Sequence, residues 1–197
     1  MPITFSTTTY SGDMPVFWRG EAKILPGGFK LLQTFPKGTV IRKGTFLSID
    51  LGTLTAGIVK KTKVLAGGTT TKPRVAKGHY FQGGDILMKM GETTGATINS
   101  VDTSNSDYDV LTISPAITGL AADDYLLEAT ATTDAEHKFE PNAVVGEDTD
   151  PLTGTDRDTV SGSYDCVVLL GYIPEFPKEW LQGITLKNNP NIVFAKQ

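Results

Sequence analysis

The sequence predicts a mainly β protein, and three observations lead to that class. Thr occurs 27 times, Gly 21 times and Pro 11 times, a composition that favours strands and turns. Leu-rich helical runs are missing, and short apolar alternations recur between turn residues. We therefore expect a compact β-sandwich, barrel-like or β-tulip-like domain with few short helices, which a projecting loop would elongate.

A repeated unit organises the first half of the chain. Lys37–Leu47 and Lys77–Leu87 share a Lys-Gly pair, a bulky apolar residue, a second Gly and two apolar residues, with equivalent positions 40 apart. A third copy, ending at Leu127, lacks both glycines and is only a weak match to the repeat. Self-similarity at a fixed period indicates one supersecondary unit used more than once. We predict a strand, corner and strand, with structural corner glycines at Gly38, Gly44, Gly78 and Gly84.

Alternation predicts several strands in chain order. Leu47, Ile49 and Leu51 alternate with polar residues, which is typical of a half-buried strand. Residues 96–101 and 108–114 flank a polar turn and predict a hairpin. Residues 121–129 are predicted to form a short helix that leads into a strand.

The last third of the chain contains its most apolar segment. Residues 164–173 predict a strand buried on both faces, and residues 178–182 predict a single helical turn ended by Gly183. Residues 184–194 read as a final edge strand. No linker stands out, so we expect an extended N-terminal arm at 1–14 and one β-rich domain at 15–197. Within that domain, residues 134–162 are predicted to form an acidic surface excursion, interrupted by a short apolar piece at 143–145.

Charge is distributed unevenly along the chain. Residues 1–100 hold 13 Lys or Arg against 5 Asp or Glu, whereas residues 101–197 hold 5 against 17. Two interpretations stay open: separate solvated faces, or halves that attract each other within the fold or between subunits. The acidic balance, with a pI near 5.2, argues against a nucleic-acid partner. No stretch approaches the length of a membrane span and no export signal is visible, so we expect synthesis in a bacterial cytoplasm and no membrane partner.

The residues that could carry chemistry form no recognised motif. His79 and His137 lie outside any nucleophile elbow and are expected at the surface or in loops. Cys166 lies in an apolar run and is expected to be a buried, inert thiol. Residues 147–158 match a calcium loop poorly, because Leu152 stands where a ligand is required. We predict no catalytic residues, metal or cofactor.

Two further groups of side chains are better explained by packing than by ligand binding. The basic run at residues 60–63 is expected to protect an exposed strand edge. The scattered aromatic residues are expected in the core rather than in a ligand groove. They are Phe17, Trp18, Phe29, Phe35 and Trp180.

Several passages resemble the head fibre and head decoration proteins of tailed bacteriophages and prophages, especially those of Bacteroides-like hosts. They are residues 35–47, 99–111 and 183–192. The strand at 167–173, followed by Glu175-Phe176 and a short helix, is similar to the end of lambda-type decoration proteins. The resemblance implies a β-rich fold, often trimeric, seated on the outer face of the major capsid shell. No functional residue carries over.

Three functional classes follow from these observations. The first is a non-enzymatic virion structural protein on the capsid surface, a homo-oligomer and most simply a homotrimer, that decorates or stabilises the head or attaches it to a host surface. Its partners would be the major capsid protein, other copies of itself and a host-surface glycan. The alternative is an adhesin-like carbohydrate- or surface-binding β module, indicated by the Thr-rich surface. A β-rich enzyme is third, and would need a polar cleft that gathers the histidines or the acidic loop.

Overall fold

The computed structural model describes residues 18–25 and 28–196, with side chains from residue 22 onward. In that part of the chain the backbone forms two β-sheets and two single-turn 3₁₀ helices, η1 (Leu170–Tyr172) and η2 (Lys178–Trp180). The mainly β prediction is confirmed, and η2 confirms the helical turn predicted near residue 180. The arm predicted at 1–14 lies outside the described residues.

The larger sheet is mixed and draws on both ends of the described chain. Its strands are β1 (Trp18–Ile24), β2 (Phe29–Leu31), β3 (Phe46–Asp50), β4 (Thr55–Ile58), β11 (Ala143–Val145), β12 (Thr159–Val160), β13 (Gly162–Leu169), β14 (Leu181–Gln182), β15 (Thr185–Leu186) and β16 (Asn189–Ala195). The order is β12-β2-β4-β3-β11-β13-β16-β15-β14, and β1 also pairs with β13. The pairs β2–β4 and β13–β16 are parallel.

The second sheet closes into a barrel made from consecutive strands. They are β5 (Lys61–Leu65), β6 (Arg74–Val75), β7 (Ile86–Lys89), β8 (Gly95–Asp102), β9 (Asp109–Ser114) and β10 (Tyr125–Glu128), in the order β10-β5-β6-β9-β8-β7. The pairing of β8 with β9 confirms the predicted hairpin. No helix precedes β10, so the helix expected from residue 121 is wrong: residues 122–123 form a turn instead.

Side chains alternate between separate cores on the two faces of the central strands. Leu47 of β3 packs into a core inside the larger sheet, whereas Phe46 packs into a core shared with the barrel. Val144 of β11 likewise joins the shared core while Ala143 joins the other. The strand predicted at 47–51 corresponds to β3, which is buried on both faces at Phe46 and Leu47, partly buried at Ser48 and Ile49, and exposed at Asp50.

The edge strand predicted at 184–194 is wrong, because β16 lies between β13 and β15. The apolar piece at 143–145, predicted to interrupt the acidic excursion, is β11, and it fills the position between β3 and β13. Short apolar segments reveal burial, but they do not reveal which strands flank them.

The two repeated units form equivalent corners. Gly44 has φ +80° and Gly84 has φ +93°. In the first corner the Gly44 N–H donates to Val145 O and the Val145 N–H donates to Thr45 O, at 2.9 and 2.8 Å. In the second, Gly84 and Ile98 make the same exchange at 2.7 and 2.8 Å, with Asp85 in the place of Thr45.

The third unit is a genuine corner displaced by one residue. Asp123, 39 positions after Gly84, takes the left-handed conformation with φ +71°. Its N–H donates to Val64 O at 2.9 Å, and the Val64 N–H donates to Asp124 O at 2.8 Å. Leu126, not Leu127, then takes the buried barrel position of Leu87. The glycine-based pattern missed this copy because Asp tolerates the left-handed region better than most residues.

We expect Gly84→Ala to lower the free energy of unfolding by about 1–2 kcal/mol, because an L side chain is strained at this positive φ. Space is not the cause, since no atom lies within 4 Å of the position of an added Cβ. Gly171→Ala is the matched control, with equally open space and no positive φ. Urea denaturation of both variants checks this, and equal stabilities would contradict it.

Candidate functional site

His79 lies in the loop between β6 and β7, one of the two expected positions, although it is buried, and His137 is half-buried at an isolated bridge to Ala129. The Phe81 N–H donates to His79 Nδ1 at 3.0 Å, which places the proton of the neutral ring on Nε2. Asp109 Oδ2 lies 3.3 Å from that Nε2, and Lys77 donates to Asp109 Oδ1 at 2.7 Å. Burial lowers the pKa of His79, although Asp109 favours the charged form. His79 thus lies between the second corner and β9, beside the Asp109 carboxylate.

His137 is held by a ring contact and a carboxylate. Its imidazole stacks on Trp180 with centroids 5.8 Å apart, and Nδ1 lies 3.2 Å from Glu140 Oε1. Burial lowers the pKa of this histidine too. In the described part of the chain no serine or cysteine hydrogen-bonds to either imidazole. The two histidines therefore lie in separate packing contacts, not in one cleft.

In the acidic loop, residues 147–158, carboxylates accept hydrogen bonds from backbone N–H groups of the loop and of the first corner. Asp158 accepts hydrogen bonds from the N–H groups of Thr153 and Gly154 at 2.8 and 2.9 Å. The Thr153 hydroxyl bond is the main reason that the pKa of Asp158 lies below its usual value. Asp148 accepts from the Lys43 N–H at 2.6 Å and so ties the loop to the first corner. Over residues 18–25 and 28–196, no group of three or more His, Cys, Asp or Glu side chains could hold a metal ion.

A buried ionic cluster lies where the chain passes from the larger sheet into the barrel. Lys60 is 2% exposed and donates to Asp85 Oδ2 at 2.6 Å. Glu128, also 2% exposed, accepts from Lys138 at 2.7 Å and from the Gln33 amide at 2.9 Å. The lysine run therefore does not protect a strand edge as expected: Lys60 is internal, and β5 has a paired strand on each side.

Cys166 and three of the aromatic residues have the predicted environment. Burial raises the pKa of the Cys166 thiol, which packs in the core shared by sheet and barrel. Phe29, Phe35 and Trp180 are all buried, so their predicted role in packing is confirmed. Phe17 and the Trp18 side chain lie outside the described part of the structure.

An open apolar groove of about 750 Å³ lies between the barrel and the C-terminal strands. Its apolar lining comes from β14, β16 and the segment around η1; the residues are Leu170, Ile173, Phe176, Leu181, Ile184 and Phe194. Ile184 is 65% exposed, more than any other large hydrophobic residue in the part of the chain that the structure describes. Lys63, Lys178 and Lys196 lie at the same groove. The groove is therefore the candidate docking surface in the part of the chain that the structure describes.

One wall of the groove is fixed by two lysines of β5. Lys61 donates to the carbonyl of Glu175, and Lys63 pairs with the Glu175 carboxylate at 3.0 Å. Burial lowers the pKa of Lys61 to about 8, opposed by the nearby Glu175 charge. The segment that carries Ile173 and Phe176 is therefore anchored to the barrel. No sequence pattern indicated the groove, because its residues come from four separate segments.

Comparison with known proteins adds no relative. No protein-family model and no curated protein matches the sequence, and no solved structure matches the fold. No helix among the described residues has the length and apolar character needed to cross a membrane.

The burial of His79 predicts how stability depends on pH. Because the folded state lowers the pKa of His79, the unfolded chain binds more protons once the pH falls below about 6.5. We expect the free energy of unfolding to decrease between pH 7.5 and pH 5.5. His79→Asn, whose amide oxygen can replace Nδ1 as an acceptor, should reduce that decrease, as measured by urea denaturation at both pH values. An equally steep decrease in the variant would contradict the assignment.

Proposed function

We propose that this protein is a non-enzymatic structural component of a phage head, bound to the outer surface of the capsid as a homo-oligomer. The open groove around Ile184 carries the proposal, because a rigid β scaffold with an exposed apolar patch suits docking to another protein. The resemblance to head fibre and decoration proteins supports the same class. The major capsid protein is the proposed partner on the shell, and the virion surface is the proposed location.

The groove is proposed to receive a second copy of this chain. Interfaces between identical subunits are more apolar than other protein interfaces, and six Leu, Ile and Phe side chains line the groove. A patch that binds a different patch on its neighbour closes into a ring when the rotation between subunits allows it. A trimer is the simplest assembly that also agrees with the resemblance.

We expect Ile184→Asp to convert a trimer into monomers, because the new carboxylate would have to be buried in an apolar contact. Folding should be unaffected, since the side chain is 65% exposed in the single subunit. Leu32→Asp is the matched control: Leu32 is 58% exposed and follows β2, near the other end of the strand order. Light scattering with sedimentation velocity measures the assembly. A monomeric parent protein at high concentration, or a trimeric Ile184→Asp variant, would refute this interface.

Capsid attachment is proposed to involve residues 1–14, whose polar, Thr-rich composition suits contact with a partner surface. Deleting them should weaken co-sedimentation with capsids assembled from the major capsid protein. The full chain with Ile3, Phe5 and Tyr10 replaced by Ser tests whether the apolar side chains of this segment matter. Undiminished capsid binding by both variants would count against the attachment.

The second candidate is the carbohydrate-binding β module, and a pocket rich in asparagine favours it. The two functions are separable, because a module of that kind would bind glycans without binding capsids.

A further inference from the structure

A second pocket, of about 380 Å³, lies away from the apolar groove and has different chemistry. It is formed where the turn after β3 meets β13 and the turn between β15 and β16. Its lining residues are Ile49, Asp50, Leu51, Asn142, Tyr164, Asn188, Asn189 and Asn191. Four carboxamides and one carboxylate thus surround a space of the size that small ligands occupy.

The floor of this amide pocket is fixed by bonds to the backbone. Asn142 Oδ1 accepts from the Ile49 N–H at 2.7 Å, and its Nδ2 donates to Ile49 O at 2.9 Å. Asn189 Nδ2 donates to both Asn142 O and Tyr164 O at 2.8 Å. The side-chain amides of Asn142 and Asn189 therefore already bond to the backbone and link three strands. Their role is to hold the rim in a defined geometry before a ligand arrives.

The rim carries the groups that remain accessible. Asp50 is exposed, and its Oδ1 accepts from the Gly52 N–H at 2.7 Å. That bond is the main reason that the pKa of Asp50 lies below its usual value, so the carboxylate stays ionised as an acceptor. Asn191 is exposed, and in the described part of the chain its side-chain amide has no hydrogen-bond partner. Leu51 is 58% exposed beside them.

This combination fits a sugar better than other small ligands. Each sugar hydroxyl is both a donor and an acceptor, and a carboxamide offers a donor and an acceptor to match it. A carboxylate accepts from hydroxyls with stronger, charge-assisted bonds. Leu51 and the half-buried Tyr164 provide apolar contact for the C–H face of a pyranose ring. Asp50 is the only ionised side chain in the lining, so a neutral sugar is favoured over an anionic one.

We propose that the amide pocket binds a neutral hexose unit of a glycan, with Asp50 and Asn191 bonding to its hydroxyls and Leu51 packing on its ring. The shallow, exposed rim limits the contact, so the dissociation constant for a single sugar is expected to be on the order of 1 mM. Several subunits in one assembly would raise the overall affinity through avidity. The pocket does not depend on the apolar groove or on attachment to a capsid.

Saturation-transfer NMR and calorimetry on the full chain test the proposal. The probes are the methyl glycosides of glucose, galactose, mannose and N-acetylglucosamine, with N-acetylneuraminic acid as the anionic comparison. At least one neutral glycoside should bind, and the anionic sugar should bind at least tenfold more weakly. Asn191→Ala and Leu51→Ser should each weaken binding by about tenfold. Asp50→Asn, which keeps an acceptor for the Gly52 N–H, should weaken it several-fold.

Leu32→Ser is the matched control, because Leu32 is as exposed as Leu51 and does not line the pocket. It should bind the sugar like the parent protein. The proposal is overturned if none of the four neutral glycosides binds, if Asn191→Ala and Leu51→Ser leave binding intact, or if the anionic sugar binds equally well. Co-sedimentation of the Asn191→Ala variant with capsids distinguishes the sugar proposal from the capsid proposal. Capsid binding by this variant should equal that of the parent protein, whether or not the parent protein binds the sugar.

Discussion

The buried charge of Lys60 is the constraint on which the arrangement of the two sheets depends. Lys60 stands between β4 and β5, so it marks the point where the chain leaves the larger sheet for the barrel. Removing an ammonium group from water costs several kcal/mol unless carboxylates surround it. Asp85 and Glu128 supply them, and both belong to the barrel or its second corner. Displacing the barrel would leave charges buried without partners.

Gln33 extends the same cluster into the larger sheet. Its amide donates to Ile58 O at 2.8 Å and to Glu128, while its Oε1 accepts from the Ile58 N–H at 2.6 Å. One side chain therefore links the end of β4 to a barrel carboxylate. The shared apolar core stabilises the contact between the sheets without fixing their orientation. The directional bonds of the polar cluster fix that orientation.

The basic first half and the acidic second half of the chain form ion pairs with each other within the fold. Among the described residues, most ion pairs join a basic residue before position 100 to an acidic residue after it. Examples are Lys23–Asp165, Arg42–Asp148, Lys77–Asp109 and Lys89–Asp124. Of the two interpretations open from the sequence, this pairing favours attraction within the fold. The pairs on the surface contribute little stability individually, but they match the two halves to each other.

Local signals in the sequence predicted local structure well. The glycines of the first two corners have positive φ, and the β8–β9 hairpin follows from its polar turn. What the sequence concealed depends on distant partners: the central position of β11, the parallel pairing of β16, and the burial of His79 beside Asp109. The groove and the amide pocket were hidden for the same reason. Only the asparagines at 188, 189 and 191 formed a visible signal, and nothing nearby in the sequence indicated Asp50 as their neighbour.

The six strands of the barrel are consecutive in the sequence, and this affects the order in which the two sheets can form during synthesis. Residues 61–128 supply all six barrel strands, whereas β13 of the larger sheet needs both β1 and β16 as partners. During synthesis, the barrel can close as soon as β10 has left the ribosome. The larger sheet is complete only after residue 195 has emerged, because β16, the parallel partner of β13, is its last strand in the chain. Through most of translation, β1 to β4 would therefore be held as unpaired or partly paired strands beside a finished barrel, in need of protection from neighbouring chains.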